Sequence, residues 1–372
     1  MARIFYSMAG EGRGHAARVK TLVEQLVPEH EVWLFAPDDA YEFLAPDWAR
    51  TELPIRLIRI PGLHFVYRKG GLDLNRTIAH GLQYAAWELP KIVRALRRRI
   101  QSIQPDLVLS DFEPALPRAA DREGVPYISF DHQHVLSAYD LSSLSHELQR
   151  HAWWMSWVVR WCYPGPHDVL ASAFYAPPLR RGWEHVQQVG PMIRADVARL
   201  RPNSGGYLVS YLRKSTPPAV LETLQAARRE VRVYGLGTRP DRGFLRFREI
   251  EDRPFLRDLA DCDGVVCAAG NQLLGEAVYL GKPVLALPEP LHHEQQINAC
   301  FLKQMGVGDC ATLAEVTSGL LQQFLDRLPE YRAGLERYRG VWNGTPAAVA
   351  AVRSKLNALA ARKTPAELAV TH

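Results

Sequence analysis

Residues 267–299 are the stretch that most constrains the fold of this 372-residue chain. An apolar strand ending at Cys267 runs into a small-residue turn that ends at Gly270, and a helical pattern starts near Asn271. A second apolar strand, 283–287, and a further helix start follow. Strands that alternate with helices in this way predict a parallel sheet with crossover helices.

The start of the predicted helix at Asn271 is suited to bind an anion. Its first backbone N–H groups have no partner within the helix, and the helix dipole adds partial positive charge. We therefore predict that Gly270 and Asn271 hold a diphosphate. Glu276 is placed to accept hydrogen bonds from ribose hydroxyls, and Glu294 with Gln295, at the next helix start, can bind sugar hydroxyls. The polar groups thus fit a nucleotide-sugar.

The same stretch resembles the donor-site motif of GT-B glycosyltransferases. The pieces of that motif occur here in order as Ala269-Gly270, Glu276-Ala277, Gly281-Lys282-Pro283 and Glu294-Gln295-x-x-Asn298-Ala299. The resemblance implies an α/β chain of two Rossmann-like, doubly wound domains that face a central cleft. It also implies a nucleotide-sugar donor, bound by the C-terminal domain as a substrate, with no separate cofactor.

A second motif follows the first predicted strand, residues 3–9. It reads Gly10-Glu11-Gly12-Arg13-Gly14-His15, and its glycines let the backbone turn tightly and approach a ligand closely. It resembles the loop of a bacterial and archaeal subgroup of glycosyltransferases that carries G-x-G-R-G-H. This resemblance implies that Gly12, Arg13 and Gly14 form an acceptor-side loop and that His15 is the general base for the acceptor hydroxyl.

The chemistry of His15 and Asp111 fits that role. An imidazole titrates near neutral pH and can remove a proton as a C–O bond forms. A carboxylate usually orients such a histidine, and Asp111, at the end of the predicted strand 106–110, occupies the matching place. A structural or substrate-positioning role for His15 remains an alternative, as does a helix-capping role for Asp111.

A dinucleotide-binding loop is a competing interpretation of the N-terminal glycines. Asp38 follows the second predicted strand, as a ribose-binding acid would. His15, however, stands where the third small residue of that fingerprint should be, and its side chain would crowd the contact between helix and strand. The spacing therefore disfavours dinucleotide binding.

Two observations bear on the reaction type. Retaining GT-B enzymes commonly carry a glutamate eight positions before that of Glu-Ala, and here the position holds Ala268. This favours an inverting transfer, with the departing diphosphate held at Gly270 and Asn271 and by Arg213. Arg213 and its neighbour Lys214 equally fit solvated loop cations. A D-x-D sequence, 261–263, falls between a helix and a strand and is interpreted as structural, so no metal is expected.

The chain is predicted to contain an N-terminal, acceptor-binding domain, 1–192, and a C-terminal, nucleotide-sugar-binding domain, 193–345. The resemblance implies that a terminal helix in 346–372 crosses back to the first domain and ends in a frayed tail. The strand candidates are 3–9, 31–36, 55–60, 106–110, 126–130 and 168–173 in the first half, and 206–211, 231–235, 244–248, 263–267 and 283–287 in the second.

Composition narrows the compartment and the partners. The net charge is +5, but no aromatic-interleaved basic module accompanies it, so nucleic-acid binding is not expected. The five cysteines are odd in number and show no CxxC pair, which indicates reduced thiols in the cytoplasm. The N-terminus leads straight into a strand, which agrees with that location.

The segment 151–163 is rich in tryptophan, and Trp153, Trp157 and Trp161 recur every four residues. That spacing places them on one face of a helix. Helical stripes usually pack against a core, and this is the expectation here. The alternative is an interfacial helix, flanked by Arg150 and Arg160, that grips a lipid acceptor or the inner face of the cell membrane.

Together these features predict an inverting, metal-independent glycosyltransferase that moves a hexose from a UDP-sugar to an acceptor hydroxyl, with a lipid or lipid-linked acceptor as one candidate. A non-hydrolysing sugar-nucleotide 2-epimerase shares the implied fold and is one alternative. A non-catalytic protein that binds sugar nucleotides is another.

Overall fold

The chain forms two parallel sheets, each packed between helices. The computed structural model describes residues 1–10, 13–63, 67–68, 71–72, 74–213 and 216–368. Within them, one sheet has seven strands and the other six, and a two-stranded hairpin accompanies the first. The prediction of two Rossmann-like, doubly wound units is therefore confirmed.

The strands are β1 (Arg3–Met8), β2 (Glu31–Ala36), β3 (Ile55–Arg59), β4 (Tyr67–Arg68), β5 (Gly71–Leu72), β6 (Leu107–Asp111), β7 (Tyr127–Asp131), β8 (Asp168–Ser172), β9 (Gln187–Val189), β10 (Leu208–Tyr211), β11 (Val231–Tyr234), β12 (Leu245–Phe247), β13 (Gly264–Cys267), β14 (Val284–Ala286) and β15 (Gly308–Cys310).

The helices are α1 (Arg13–Leu26), α2 (Asp38–Trp48), α3 (Leu74–Gln83), α4 (Leu89–Ile103), α5 (Ala115–Glu123), α6 (Val135–Ala138), α7 (His146–Cys162), α8 (Ala195–Ala198), α9 (Pro218–Ala226), α10 (Asp252–Asp261), α11 (Asn271–Tyr279), α12 (His293–Gln304), α13 (Ser318–Asp326), α14 (Leu328–Leu335) and α15 (Thr345–Leu368). A π-helical turn, Tyr84–Glu88, joins α3 to α4.

Strand order places a ligand-binding crevice in each sheet. The seven-stranded sheet runs β3-β2-β1-β6-β7-β8-β9, and the six-stranded sheet runs β12-β11-β10-β13-β14-β15. The chain therefore reverses its direction of travel between β1 and β6 in one sheet and between β10 and β13 in the other. Ligands of open parallel sheets bind outside the carboxyl ends of the strands at such switch points. His15 follows β1, Asp111 is the last residue of β6, and Gly270 follows β13.

The N-terminal sheet is covered by α1 on one face and by α4 and α5 on the other. The terminal helix α15 also packs on this sheet, because Ala348 and Val352 share one buried cluster with Val19 and Leu22 of α1. Where the chain crosses between the halves, the Gly344 N–H donates to the Pro191 carbonyl at 2.8 Å. A Cβ on Gly344 would stand 2.2 Å from the Gly190 oxygen, so only glycine permits this approach.

The two halves meet through a shared apolar interface. One buried cluster contains Ala152 and Phe174 from the first half together with Leu274, Ile297 and Phe301 from the second. The ring of Tyr175 stacks on that of Phe301, with centroids 4.1 Å apart. This contact packs the loop after β8 against the C-terminal part of α12.

The expectation that the tryptophans of α7 pack in a core is wrong. The buried face of α7 carries Leu148, Ala152, Ser156, Val159 and Cys162. The opposite face leaves Trp153, Trp154, Trp157 and Trp161 between 42% and 62% exposed. Small residues on the buried face let the helix approach its neighbours closely, and this turns the bulky rings outward. No described helix is long and apolar enough to span a membrane.

The short edge strands β9 and β15 were not predicted from the sequence, and the other strand predictions of both large sheets are met within two residues at each end. The five cysteines are free, as expected, and Cys162, Cys262 and Cys267 are buried.

Candidate functional site

His15 and Asp111 form a hydrogen-bonded pair at the switch point of the first sheet. The Nδ1 of His15 lies 2.8 Å from Oδ1 of Asp111, which is fully buried. Because an ionised carboxylate only accepts hydrogen bonds, this contact places the proton on Nδ1 and leaves Nε2 as the basic nitrogen. The side chain of His15 is 16% exposed, so a reacting group can reach it.

Arg18 adds a third charged group, which the sequence reasoning missed. Its Nε and Nη2 donate to Oδ2 and Oδ1 of Asp111, each at 2.8 Å, and Arg18 is itself buried. Burial would raise the pKa of Asp111, but Arg18 and His15 outweigh it and hold that pKa below its ordinary value. Asp111 is therefore a firmly ionised, doubly anchored partner for His15. The three-residue spacing on one helix was the signal that could have revealed Arg18.

The backbone around Asp111 is held in an unusual conformation. Phe112 has φ of 54°, in the left-handed region that disfavours residues with a Cβ. Its N–H donates to the Tyr163 hydroxyl at 2.6 Å. The next helix is capped by Glu113, whose carboxylate accepts the N–H groups of Ala115 and Leu116. The capping role considered for Asp111 is thus filled by Glu113.

The acceptor-side loop approaches both α2 and α11. A Cβ on Gly10 would stand 2.8 Å from Cγ of Pro37, which explains a glycine there. A Cβ on Gly14 would lie 4.0 Å from Cβ of Gln272, in the first turn of α11. Arg13 stacks over the ring of Phe43. Gly12 lies outside the described residues.

The start of α11 presents backbone rather than side chains. Gly270 is its N-cap and offers no side-chain hydrogen bond, and a Cβ there would meet open space. Ala269 has φ of 62°, which costs about 1 kcal/mol for a residue with a Cβ. The strained turn leaves the first-turn N–H groups of α11 uncapped, as an anion site requires.

The side chain of Asn271 faces the N-terminal half, not the helix axis. It accepts from the Phe174 N–H and donates to the Ser172 carbonyl, both at 3.3 Å. Asn271 is therefore an interdomain tie, and only its backbone is free to hold phosphate.

Asn298 is a second motif residue that ties the two halves together. Its amide donates to the Ala269 carbonyl, and its oxygen lies 3.0 Å from both Tyr175 Oη and His132 Nε2. Asn298 is fully buried and fixes the strained turn before α11 against the first sheet. The motif contained Asn298, but its interdomain partners are not readable from the sequence.

Glu276 is held by a partner that was not predicted. Arg194, just after the interdomain crossing, donates to both of its oxygens at 2.7 Å, and Gln272 donates to Oε1 at 2.9 Å. Glu276 is only 1% exposed. Oε2 of Glu276 can accept one more hydrogen bond, as from a ribose hydroxyl, in addition to the one that Arg194 donates.

Glu294 and Gln295 diverge at the start of α12. Glu294 faces the first sheet, where Gln133 donates to it at 3.3 Å. Burial would raise the pKa of Glu294, but the nearby His132, His292 and His15 outweigh it and lower that pKa. Gln295 is buried instead and accepts the Glu289 N–H at 2.8 Å. Glu294 thus faces the cleft, whereas Gln295 holds the preceding loop.

Arg213 follows β10 and forms an ion pair with Glu289, at 3.2 Å between Nη1 and Oε2. Its side chain is about two-fifths exposed, at 39%. Lys214 lies outside the described residues. Arg213 therefore stands beside the loop before α12, at the rim of the same crevice as Gly270.

The D-x-D sequence has structural partners. Asp263 accepts from Ser204 and lies 3.2 Å from Nη1 of Arg229. In the part of the chain that the structure describes, no group of three or more His, Cys, Asp or Glu side chains could hold a metal ion.

A sequence profile described as glycosyl transferase family 1 matches residues 2–329. The chain belongs to this family. It is a glycosyltransferase, which favours the transferase interpretation over the epimerase and the non-catalytic binder. It is also similar to uncharacterized glycosyltransferases of Methanosarcina mazei (24% identical, covering 82% of this chain and 84% of the relative) and Methanosarcina acetivorans (25% identical, covering 82% of each).

Solved structures confirm the GT-B fold. The calicheamicin glycosyltransferase CalG4 aligns with a TM-score of 0.68 at 16% identity, covering 96% of this chain and 98% of that one. Arabidopsis thaliana UGT89C1, solved with UDP-L-rhamnose, gives 0.67 at 13% identity, covering 96% and 99%. Acinetobacter baumannii MurG gives 0.60 at 15% identity, covering 95% and 100%.

Proposed function

We propose that this glycosyltransferase inverts the anomeric centre of a UDP-hexose while transferring the sugar to an acceptor hydroxyl, without a metal. The observation that carries the proposal is the pair of His15 and Asp111, locked by Arg18, beside the uncapped start of α11. The solved structures of a similar plant transferase with UDP-L-rhamnose and of another with UDP-2-fluoro-glucose support UDP as the nucleotide.

In this mechanism His15 removes the acceptor proton. Nε2 takes the proton from the hydroxyl as its oxygen attacks the anomeric carbon, and the bond to the diphosphate breaks on the opposite face. Asp111 accepts the Nδ1–H throughout and stabilises the imidazolium that forms. A base on the acceptor and a leaving group on the far side together produce inversion.

The departing diphosphate is stabilised at the start of α11. Backbone N–H groups at Gly270 and Asn271 donate to the phosphate oxygens, and the helix dipole favours the developing charge. Arg213 supplies a further cation at the rim. Glu276 binds the ribose from its remaining lone pair, and Glu294 binds sugar hydroxyls where it faces the first sheet. Gln295 contributes indirectly, because it holds the loop before α12 through the backbone of Glu289.

We further propose that the acceptor is a lipid or a lipid-linked sugar, handled in the cytoplasm at the inner face of the cell membrane. The support is the exposed aromatic face of α7, which belongs to the acceptor-side half. Tryptophan rings with arginines beside them suit the headgroup region of a bilayer.

The test is to replace His15 by Ala and to measure transfer and UDP binding separately. Loss of a general base should slow transfer by roughly 10²–10⁴-fold. UDP should still raise the melting temperature, because it binds the native state through α11. Transfer at the wild-type rate by His15→Ala would remove His15 from the mechanism. Addition of EDTA, as a second arm, should leave wild-type transfer unchanged.

A further inference from the structure

A cavity of about 390 Å³ lies beside α7, lined from α7, the start of β8 and the segment before β9. Its polar and aromatic lining consists of His134, Arg160, Tyr163, His167, Trp183 and His185. None of these residues belongs to the donor motif or to the dyad of His15 and Asp111. The cavity is therefore a feature that the proposed transfer chemistry does not use.

The charges around this cavity suit an anion. Arg160 has no ion-pair partner within the described part of the chain. Asp131, the buried carboxylate nearby, is already engaged by His134 Nδ1 at 2.9 Å and by the Tyr163 hydroxyl. Glu184 is turned toward its own loop, where it accepts the Gly182 N–H at 2.9 Å. The cavity lining thus offers imidazole and guanidinium donors and contains no Asp or Glu among the described residues.

The cavity is continuous with the exposed tryptophans. The guanidinium of Arg160 lies 5.5 Å from the ring centre of Trp157, on the outer face of α7, and 5.6 Å from that of Trp183, in the cavity wall. Trp157 in turn contacts Trp153, with centroids 6.2 Å apart. The side chain of Arg160 therefore lies between the exposed tryptophan face of α7 and the polar cavity.

We propose that the cavity binds the phosphate head group of an anionic membrane lipid while Trp153 and Trp157 bury in the bilayer interface beside it. Arg160 and His185 donate to the phosphate oxygens, and Trp183 packs against the rest of the head group. The exposed face supplies apolar area that can enter the bilayer interface, and the recess supplies positive charge for the anionic head groups. This rests on the proposed membrane contact but not on the transfer chemistry.

The test is co-sedimentation of the full chain with vesicles of phosphatidylcholine alone or mixed with phosphatidylglycerol, at one ionic strength. Arg160→Gln is compared with Arg150→Gln, which removes the same charge from the same helix outside the cavity. Both side chains are exposed, so folding is not at risk, and UDP-induced stabilisation checks each variant. Loss of charge-assisted hydrogen bonds should lower the partition of Arg160→Gln onto the anionic vesicles by about tenfold or more. Arg150→Gln should lose at most about fivefold, as a general surface charge does.

A double variant, Trp153→Ser with Trp157→Ser, should also release the protein from the anionic vesicles, whereas Trp87→Ser, exposed outside α7, should not. Equal losses for Arg160→Gln and Arg150→Gln would overturn the head-group site in favour of diffuse attraction. Failure of the wild type to bind the anionic vesicles would overturn it outright.

Inorganic phosphate distinguishes the source of the anion. If phosphate stabilises the wild type but not Arg160→Gln, while Arg160→Gln binds the anionic vesicles as well as the wild type does, the cavity takes a free anion and the lipid proposal is wrong. A variant that loses vesicle binding but still binds UDP has a defect in the lipid site alone, so the lipid proposal and the proposed transfer can be tested separately.

Discussion

The two halves of the cleft use their motif residues differently. At the first sheet, the side chains of His15, Arg18 and Asp111 form the proposed reactive unit, joined by contacts of 2.8 Å. At the second sheet, the side chain of Asn271 bonds to the backbone of the first half, and the carboxylate of Glu276 accepts hydrogen bonds from Arg194. The start of α11 therefore presents its backbone, and not its side chains, to a ligand.

In the proposed mechanism, this difference separates the chemical step from donor binding. A proton transfer needs a titratable atom in one fixed place, so the first half fixes a side chain. A diphosphate needs several N–H donors and a dipole, so the second half fixes a turn and uses polar side chains to hold it. Substitutions in the first half should therefore change the rate, and those in the second should change affinity or stability.

The largest effect on the rate is expected for Asp111→Asn. The amide cannot hold the imidazolium as the carboxylate does, and it leaves the buried Arg18 without a full counter-charge. Transfer should fall by roughly 10²–10⁴-fold, with UDP affinity retained. Steady-state kinetics and a UDP titration check this.

Glu113→Gln is the matched control for Asp111→Asn. It alters a buried carboxylate two positions away that caps α5 and does not contact His15. It should keep its rate and lose about 1 kcal/mol of stability. Equal losses of rate in both variants would mean that the region is merely fragile.

Glu276→Gln sharpens the comparison on the donor side. If Glu276 accepts ribose hydroxyls, its loss should weaken UDP about tenfold. It should leave the affinity for 2′,3′-dideoxy-UDP unchanged, because that analogue lacks the hydroxyls. Calorimetric titration of both nucleotides measures the coupling.

Arg194→Met serves as the control for Glu276→Gln. It breaks the same ion pair but should preserve the preference for UDP over the dideoxy analogue. If Glu276→Gln weakens both nucleotides to the same extent, then Glu276 is only the structural partner of Arg194.

The sequence predicted more of the fold than of the contacts. The strand that ends at Cys267 and the turn at Gly270 follow from local patterns, so their positions could be read directly. The partners of Asn298 lie at His132 and Tyr175, and only the packing of two domains brings them together. The exposure of Trp157 likewise depends on which face of α7 packs against the rest of the protein, and helical spacing alone does not specify that face.

Stability should depend on pH through the contact between α7 and α12. The rings of His151 and His293 stack with centroids 3.7 Å apart. Burial, with His293 and His292 nearby, lowers the pKa of His151 from 6.5 to about 4, and burial lowers that of His293. Unfolding therefore takes up protons, so this contribution is complete above pH 6.5 and is lost as the pH falls toward 4. The melting temperature should decline across that window.

His151→Gln should flatten that decline, while His146→Gln, at the exposed start of the same helix, should not. Melting curves at several pH values compare the three proteins. Identical pH profiles for His151→Gln and the wild type would contradict the assignment.

The smallest effect is expected for Gln295→Ala. Gln295 reaches only the backbone of Glu289, so its removal should cost about 1 kcal/mol of stability. Donor affinity should change little once the loop is in place. Thermal unfolding and a UDP titration measure both, and a large loss of affinity at unchanged stability would return Gln295 to direct sugar binding.

The central claim is that side chains perform the chemistry in one half and backbone binds the diphosphate in the other. Its most direct test is a calorimetric titration of UDP, without metal, into Gly270→Val and His15→Gln. A Cβ at Gly270 would meet open space, so a valine there should leave the fold intact while blocking the phosphates. The account predicts that Gly270→Val loses UDP binding and that His15→Gln keeps it. Unchanged binding by Gly270→Val, or lost binding by His15→Gln, would contradict it.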